Sequence, residues 1–213
     1  EKAVDDDCNY IILSDRAVSS THAPIPSLLA VAAVHNYLID KRKRVQTALV
    51  VETADAREVM HMALLIGYGA SSINPYMACA VISDLVKNKI VQLDYHTAEK
   101  NYMKALNKGL KKVISKMGIA TIRSYRGSQL FEALGISDEL LQKYFCGTIS
   151  KLNGIGLEDI NKDIVHFHQK AYTEEIELLQ NSGQYAYRRN GEYHAWNPET
   201  IAKNIRDMLV SPE

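Results

Sequence analysis

Short apolar, β-favouring runs alternate with helical patterns through the first two thirds of the chain, and this alternation limits the fold more than any other feature. Residues 10–13 are one such run, and residues 48–52 are apolar on both faces. Strands that are apolar on both faces are typical of a covered parallel sheet. Helical patterns follow over residues 28–39 and 56–66. This order of strand, helix and strand predicts a parallel α/β sheet with right-handed crossovers.

The second half of the chain continues the alternation. We predict strands over residues 71–74, 119–125 and 148–150 and helices over residues 76–87, 97–117, 129–134, 139–145 and 157–172. Pro26 suits the first turn of the helix over residues 28–39. Thr53 or Asp55 is the expected N-cap before residue 56, and Ser137 is the expected N-cap of the helix over residues 139–145. The helix over residues 97–117 has an apolar stripe on one side and lysines on the other.

The number of predicted strands is too small for a complete barrel. A (β/α)8 barrel takes about 250 residues, and this chain of 213 residues offers four or five strands. We therefore expect a partial or degenerate (β/α) TIM-barrel-like domain over residues 1–172, with an open doubly wound sheet as the alternative. The pattern becomes irregular after Tyr172, so residues 173–213 form a C-terminal extension that ends in a helix over residues 198–209 capped by Asn197.

The charge balance excludes a general attraction to nucleic acid or to anionic membranes. Lys and Arg total 25, and so do Asp and Glu, which gives a formal net charge of zero. The three cysteines are far apart, which fits a reducing compartment. No apolar stretch approaches the roughly 18 residues that cross a bilayer, and no signal peptide is visible. We expect a cytoplasmic protein, and a first residue other than Met suggests a piece of a longer one.

Polar residues follow the predicted strands at their carboxyl ends. Both a barrel and a doubly wound sheet place their functional sites at that edge. The predicted rim consists of Ser14, Asp15, Arg16, Glu52, Thr53, Asn74, Ser124, Tyr125 and Arg126. Helix caps, buried loop anchors and contacts to a neighbouring domain use the same residue types, and the capping rules favour that structural interpretation.

The glycine motifs do not indicate nucleotide binding. Gly67-x-Gly69 and Gly154-x-Gly156 lack the full GxGxxG pattern and its later acidic residue, so we interpret both as turns. The sequence contains no GxxxxGK[ST] loop, which excludes a P-loop NTPase.

The histidines and lysines do not indicate a catalytic or metal site. His166 and His168 are two positions apart on a predicted helix and therefore point to different sides. His35 and His61 lie in apolar helices, where a hydrogen-bonded core histidine is the favoured interpretation. No lysine lies on a predicted strand where it would form a Schiff base. We predict no catalytic, cofactor-binding or metal-binding residue in this chain.

Several strings in the chain together resemble the central domain of the large subunit of glutamate synthase. Residues 12–16 (ILSDR) and 23–35 (APIPSLLAVAAVH) carry the resemblance first, and residues 65–70 (LIGYGA) then lead into 73–76 (INPY). The longest string is residues 116–129 (KMGIATIRSYRGSQ). It is followed by residues 131–135 (FEALG), 144–148 (YFCGT) and 154–157 (GIGL), and by residues 191–194 (GEYH) with Asn197-Pro198, which resemble the start of the family's FMN-binding domain. The strings keep the family's order, and the resemblance covers nearly the whole chain.

The resemblance implies a place in a multidomain oxidoreductase of glutamate biosynthesis and ammonia assimilation. In this family a glutaminase domain hydrolyses glutamine, and ammonia passes through an internal tunnel to 2-oxoglutarate. The iminoglutarate is reduced by FMN, which receives electrons through an iron–sulfur cluster. The resemblance implies a connecting role for the central domain, which joins the glutaminase and FMN sites and helps to wall the tunnel. Its implied partners are those neighbouring domains and an electron-donating subunit or ferredoxin.

The chain departs from the complete enzyme in its catalytic parts. Its first cysteine is Cys8, so the N-terminal catalytic cysteine is missing, and so are the closely spaced cysteines of the cluster. The flavin-binding segments lie beyond Glu213. We therefore expect no cofactor on this segment, with FMN and the iron–sulfur cluster implied for the full enzyme, and an isolated fragment that is inactive. Ser14 and Arg126 are the rim residues that we assign to the tunnel wall.

Three hypotheses follow. An excised piece of the multidomain enzyme predicts apolar faces left open where neighbours dock. A stand-alone scaffold or binding module, which partners separate glutaminase and synthase chains, predicts a sealed surface. An independent barrel enzyme predicts a closed pocket with two titratable groups whose pKa values are pushed apart. Four aromatic residues near the end favour the first hypothesis: Tyr185, Tyr187, Tyr193 and Trp196.

Overall fold

The computed structural model of the chain describes residues 1–173 and Asp207. Three strands, β1 (Tyr10–Ser14), β2 (Ala48–Glu52) and β3 (Ser72–Asn74), form a parallel sheet in the order β1-β2-β3. Helices connect each strand to the next. The predicted α/β class with parallel strands is therefore confirmed.

Helices and a second small sheet make up the rest of the described chain. The helices are α1 (Lys2–Asp5), α2 (Ser27–Asp40), α3 (Val59–Gly67), α4 (Tyr76–Lys87), α5 (Tyr95–Lys116), α6 (Ile122–Tyr125), α7 (Asp138–Tyr144) and α8 (Leu157–Thr173), with a 3-10 turn at Arg44–Gln46. Strands β4 (Glu132–Ala133) and β5 (Ile149–Ser150) pair in parallel. Within residues 1–173 the two sheets remain separate and form no closed barrel.

One face of the three-stranded sheet is covered by helices. Leu49 and Val51 of β2 are buried there, against core residues of α2 and α3 that include Val31 and Leu65. Side chains alternate between the two faces along a strand, so Tyr10 and Ile12, which pair with Ala48 and Val50, lie on the other face. Tyr10 is 70% exposed and Ile12 is 64% exposed. The prediction that the sheet is covered on both sides holds for one face of this chain.

Two further clusters complete the core. Helix α7 packs on α2 through Leu140 and Leu141, which lie with Ala32 and Phe145. Helix α3 packs between α5 and α6, where Tyr125 is 1% exposed. These clusters keep α2 and α3, the helices that support the sheet, in place.

The strand predicted over residues 119–125 is wrong. The segment contains helix α6, which begins when the Thr121 side chain accepts a hydrogen bond from the Ser124 backbone N–H. Gly118 and Gly127, both with positive φ, lie on either side of it. Apolar and β-branched residues predicted a strand here, but the side-chain cap and the core position of Tyr125 decide the local structure.

The helix predicted over residues 129–134 is also wrong. Glu132 and Ala133 form β4 and pair with β5, and the Phe131 ring packs against Tyr68 and Tyr125. A pairing across 17 residues is a tertiary contact, which a local helical pattern does not contain.

The remaining elements agree with the sequence to within a few residues. Helix α3 begins at Val59 rather than at residue 56, because Glu58 and His61 form a capping box. The predicted caps Thr53 and Asp55 lie before it. Asp94 caps α5, and Ser137 caps α7 as predicted.

The C-terminal predictions fall mostly outside the described residues. These are the helix over residues 198–209, its cap Asn197 and the aromatic residues from Tyr185 to Trp196; Asp207 alone is described, as helical. The chain divides into two compact units, Glu1–Gln169 and Lys170–Glu213. Among the described helices, none combines the length and the apolar character that a membrane span requires.

Candidate functional site

The carboxyl ends of the three strands bring together three predicted rim residues. Ser14, Glu52 and Asn74 occupy paired positions in the register of β1, β2 and β3. Ser14 Oγ donates to Glu52 Oε2 at 2.7 Å, and Asn74 Nδ2 donates to Glu52 Oε1 at 3.3 Å. The parallel register therefore produces a continuous polar line on the open face of the sheet.

Arg16 closes this line on one side. Its Nε atom lies 2.7 Å from Glu52 Oε1, and its guanidinium lies 4.0 Å from the centre of the Tyr76 ring. The hydrogen bonds from Arg16 and then from Ser14 lower the pKa of Glu52. Glu52 is therefore an ionised acceptor whose two oxygens already have donors.

Asp15 and Thr53 lie one residue further along and form a second layer. Asp15 Oδ2 accepts hydrogen bonds from Thr53 Oγ1 at 2.7 Å and from the Ala54 backbone N–H at 2.8 Å. Thr53 is 1% exposed, so this contact is buried. Burial, followed by the adjacent Asp15 carboxylate, raises the pKa of Tyr76 to about 12. These residues act as the buried loop anchors that the capping rules favoured.

A cavity of about 350 Å³ opens beside the two layers. Ser14, Asp15, Glu52 and Thr53 line its polar side, and His22 lies on its wall. The rest of the wall is apolar and belongs to β1, β2, the loop after β1 and the start of α2; it includes Val18, Pro24 and Ile25. A cavity of this volume is within the size range of small-molecule pockets.

The other three predicted rim residues lie elsewhere, because residues 119–125 form no strand. Ser124 bonds to the cap residue Thr121, and Tyr125 is in the core. Arg126 Nη1 lies 3.4 Å from the hydroxyl of Ser71, which precedes β3. Arg126 is therefore at the amino end of the sheet, opposite the other rim residues, and its assignment to the same edge is wrong.

The amino end of the sheet has a network of its own. Arg44 donates from Nε to His35 Nδ1 at 2.8 Å, from Nη1 to the Thr47 carbonyl at 2.8 Å and from Nη2 to the Gly69 carbonyl at 2.7 Å. Burial, then the positive charges of Arg44 and Arg126, lower the pKa of His35 to about 4. His35 is thus a neutral acceptor, in agreement with the interpretation as a hydrogen-bonded core histidine.

The interpretation of His61 as a core histidine is wrong. Its Nδ1 lies 3.2 Å from the Arg57 backbone nitrogen and 3.3 Å from that of Glu58, and it accepts from both at the start of α3. Its position three residues after Glu58 was the available signal, because reciprocal caps have that spacing.

Sequence analysis also missed Tyr76 and Arg44. Tyr76 comes two residues after Asn74, the end of β3, so its position beside the rim was available from the chain order. Arg44 follows α2 in the basic run of residues 41–44, a pattern typical of solvated charges, yet three of its nitrogens bond inside the protein.

Within residues 1–173 and at Asp207, no group of three or more His, Cys, Asp and Glu side chains is placed to hold a metal ion. Cys8 and Cys146 are exposed and Cys79 lies in α4, so the cysteines belong to different elements. They do not fit the ligand set of an iron–sulfur cluster, which requires four clustered thiolates.

The two shifted titratable groups of the strand-end site keep fixed protonation states near neutral pH. Glu52 is held ionised by three neighbours, and Tyr76 keeps its proton far above neutral pH. General acid–base catalysis works best when the pKa is near the operating pH, and both groups are far from it. The arrangement is a rigid wall of oxygen acceptors beside a small cavity.

Comparisons with known proteins give one consistent result. The family model described as "Glutamate synthase central domain" matches residues 1–137. The chain is 43% identical over 202 residues to the glutamate synthase (NADPH) large chain of Bacillus subtilis, a match that covers 94% of this chain. It is 42% identical over 215 residues to the glutamate synthase (NADH) of Schizosaccharomyces pombe, with 98% of this chain covered. It is 39% identical over 211 residues to the ferredoxin-dependent glutamate synthase of Pyropia yezoensis, with 93% covered.

These relatives are much longer than the chain. The matched region is 13% of the Bacillus protein, 10% of the Schizosaccharomyces protein and 14% of the Pyropia protein. The chain therefore spans about a tenth to a seventh of the curated relatives that it matches.

Proposed function

Because this chain belongs to the family of the glutamate synthase central domain, we propose that it is the connecting domain of an enzyme that makes glutamate from glutamine and 2-oxoglutarate. In this proposal the domain joins the glutaminase site to the FMN site and helps to wall the path of ammonia. The observation that carries the proposal is the family match over residues 1–137, together with relatives 39–43% identical over nearly the whole chain.

The open face of the sheet supports a domain that has neighbours. Tyr10 pairs with Ala48 and Ile12 with Val50 on that face, and Tyr10 and Ile12 are both more than 60% exposed. Large apolar side chains on one continuous sheet face are typical of a surface that another part of a protein covers. For this reason, the open face fits the hypothesis of a stand-alone scaffold with a sealed surface less well.

The polar line at the strand ends supports the role in guiding ammonia. Ser14, Glu52 and Asn74 present oxygen and nitrogen atoms on the same open face, above Ile12 and Val50. Ammonia donates hydrogen bonds, and an ionised carboxylate held in one position accepts them. We assign Ser14 and Glu52 to the wall of the path and remove Arg126 from it.

The arrangement of the sheet also supports a degenerate barrel. In a (β/α) barrel the strands are parallel, helices pack on the outer face, and the inner face lines the interior. β1, β2 and β3 have this organisation, with α2 and α3 on one face only. We propose that residues 1–172 form most of such a domain and that residues 173–213 connect it to the next one.

The cofactors belong, in this proposal, to other parts of the full enzyme. FMN and an iron–sulfur cluster supply the electrons for reduction, and the cysteines of this chain lie in separate elements. The expected partners are the glutaminase and FMN-binding domains, together with an electron-donating subunit or ferredoxin, in the cytoplasm. We name no single electron donor, because the names of the relatives contain NADPH, NADH and ferredoxin.

The test uses the intact native protein that contains this chain. Its mass should be several times that of the 23.9 kDa chain, its spectrum should be that of a flavoprotein with an iron–sulfur cluster, and it should form glutamate from glutamine and 2-oxoglutarate. Glu52→Gln should raise the ratio of free ammonia to glutamate, whereas Glu139→Gln on the exposed side of α7 should not. A colourless product of about the size of this chain that does not form glutamate would contradict the proposal.

A further inference from the structure

The exposed side of α5 carries an extended run of positive charge. We call it the lysine face; it consists of Lys100, Lys104, Lys108, Lys111, Lys112 and Lys116, all of which are exposed. At a rise of 1.5 Å per residue the face is about 24 Å long. The opposite side of α5 packs on α3 and α4, so the helix is fixed and its lysines point outward.

The lysines lack negative neighbours. Glu99 is the one carboxylate of α5, and it accepts a hydrogen bond from Tyr95. None of the six ammonium groups forms an ion pair with the residues that the structure describes. Lysines at spacings of three and four residues repel one another and destabilise a helix. The face therefore has an unfavourable charge pattern that an external negative surface would relieve.

Helix α8 shows that this pattern is not general in the chain. This helix carries both positive and negative side chains, and Lys162 Nζ lies 3.2 Å from Asp159 Oδ1 one turn away. A solvated helix with mixed charges is stabilised by such pairs. The chain as a whole has equal numbers of positive and negative side chains, so the lysine face is a local concentration and does not reflect a basic protein.

The composition of the face selects the kind of partner. Nucleic-acid surfaces combine basic residues with arginine forks or stacking aromatic rings, and the domains that carry them are usually basic overall. The lysine face contains neither arginine nor an aromatic ring. An anionic membrane would repel the remaining acidic surface of a neutral chain. A limited acidic patch on a protein matches the face without these conflicts.

The chemistry of lysine also indicates a transient partner. Lysine is depleted from permanent interface cores, and its flexible chain loses much entropy when it is immobilised. Exposed charges of one sign mainly accelerate and orient encounters with an oppositely charged surface. We propose that the lysine face of α5 is a docking surface for the acidic face of a separate protein. The proposal does not depend on the proposed function.

The test compares two triple variants in the intact protein. Lys104→Gln with K108Q and K111Q removes the centre of the face, and the matched control K2Q/K87Q/K89Q removes three exposed lysines outside α5. The probe is fluorescent poly-L-glutamate, with duplex DNA and phosphatidylserine vesicles as competing classes. The α5 variant should weaken binding of poly-L-glutamate by about tenfold, the scale of three exposed ion pairs, and the control should bind like the unmodified protein.

Two further measurements separate charge from fold. The variant K104R/K108R/K111R keeps the charge and should bind like the unmodified protein, and circular dichroism should show that all variants fold. Binding should disappear at about 1 M salt, where the Debye length is about 3 Å. Equal binding by the unmodified protein and the Gln variant would overturn the proposal. Tighter binding of DNA or of vesicles through the same lysines would overturn it as well.

Discussion

At the scale of single residues, two side chains organise the opposite ends of the sheet. Glu52 connects all three strands at the carboxyl end, since Ser14 and Asn74 donate to it from either side. At the amino end, Arg44 links His35 of α2 to the backbone carbonyls of Thr47 and Gly69, which precede β2 and β3. The first site is ionised and borders a cavity, whereas the second is a half-buried cation with a neutral histidine.

The His35 network predicts how stability depends on pH. The folded-state pKa of His35 is about 4, while an unfolded histidine has a pKa of about 6.5. The unfolded chain therefore binds the proton first, and the stabilisation is fully present above pH 6.5 and is lost as the pH falls towards 4. We expect His35→Gln to flatten this loss, by an amount on the order of 1 kcal/mol for a half-buried group.

Urea denaturation between pH 7.5 and pH 4 would measure that effect. His96→Gln, at an exposed position near the start of α5, is the control and should leave the curve unchanged. An NMR titration in which the His35 ring protonates near pH 6.5 in the folded protein would contradict the prediction.

The sequence predicts part of the strand-end site but not all of its contacts. Ser14, Glu52 and Asn74 could be predicted to meet, because parallel strands put their carboxyl ends at one edge. The ring of Tyr76 under Arg16 could not, because it depends on how far two side chains reach from different elements. Arg126 was placed at this edge through a strand that does not exist, so an error in one element moved its residue to the other end of the sheet.

At the scale of elements, the boundaries are set by contacts of individual atoms. Helices α2, α4, α5 and α8 have apolar residues at helical spacing over three or more turns, and the sequence predicts them to within two residues. Helix α6 is a single turn whose start depends on Thr121 and whose position depends on the burial of Tyr125. Short elements of this kind follow tertiary packing, which local propensity does not describe.

The end of α3 allows a test of backbone conformation. Gly69 has a φ of +124°, and a Cβ atom built on it would clash with the His35 ring. Gly69→Ala therefore combines an unfavourable backbone angle with a steric clash against a packed ring. We expect a loss of more than about 2 kcal/mol in the free energy of unfolding.

Gly118→Ala is the matched control at the end of α5. Its φ is +72°, but a Cβ atom there would have nothing within 4 Å. Only the left-handed conformation is penalised, so the expected loss is about 1 kcal/mol. Chemical denaturation of both variants would measure the difference. Equal losses would show that the contact with His35 does not limit this position.

At the scale of the whole molecule, the sheet of β1, β2 and β3 has one covered side and one open side. On the covered side, α2 and α3 pack on the sheet, and Leu49 and Val51 are almost fully buried. The open side carries Tyr10 and Ile12 beneath the polar line of Ser14, Glu52 and Asn74. A face that is apolar in its middle and polar at its end fits the interior of a larger assembly in which the polar end borders a path for a small polar molecule.

The open face gives the last prediction, which compares the isolated chain with the intact protein. Ile12→Asp puts a charge where the side chain is 64% exposed in this chain, so the isolated chain should keep its stability to within about 0.5 kcal/mol. In the intact protein the same carboxylate would be buried without a partner beneath a neighbouring domain, which costs several kcal/mol. Val45→Asp is the control, because Val45 is 95% exposed and lies outside the sheet. Thermal unfolding of both variants in both contexts measures the difference, and an intact protein that tolerates Asp at position 12 as well as at position 45 would mean that no domain covers this face.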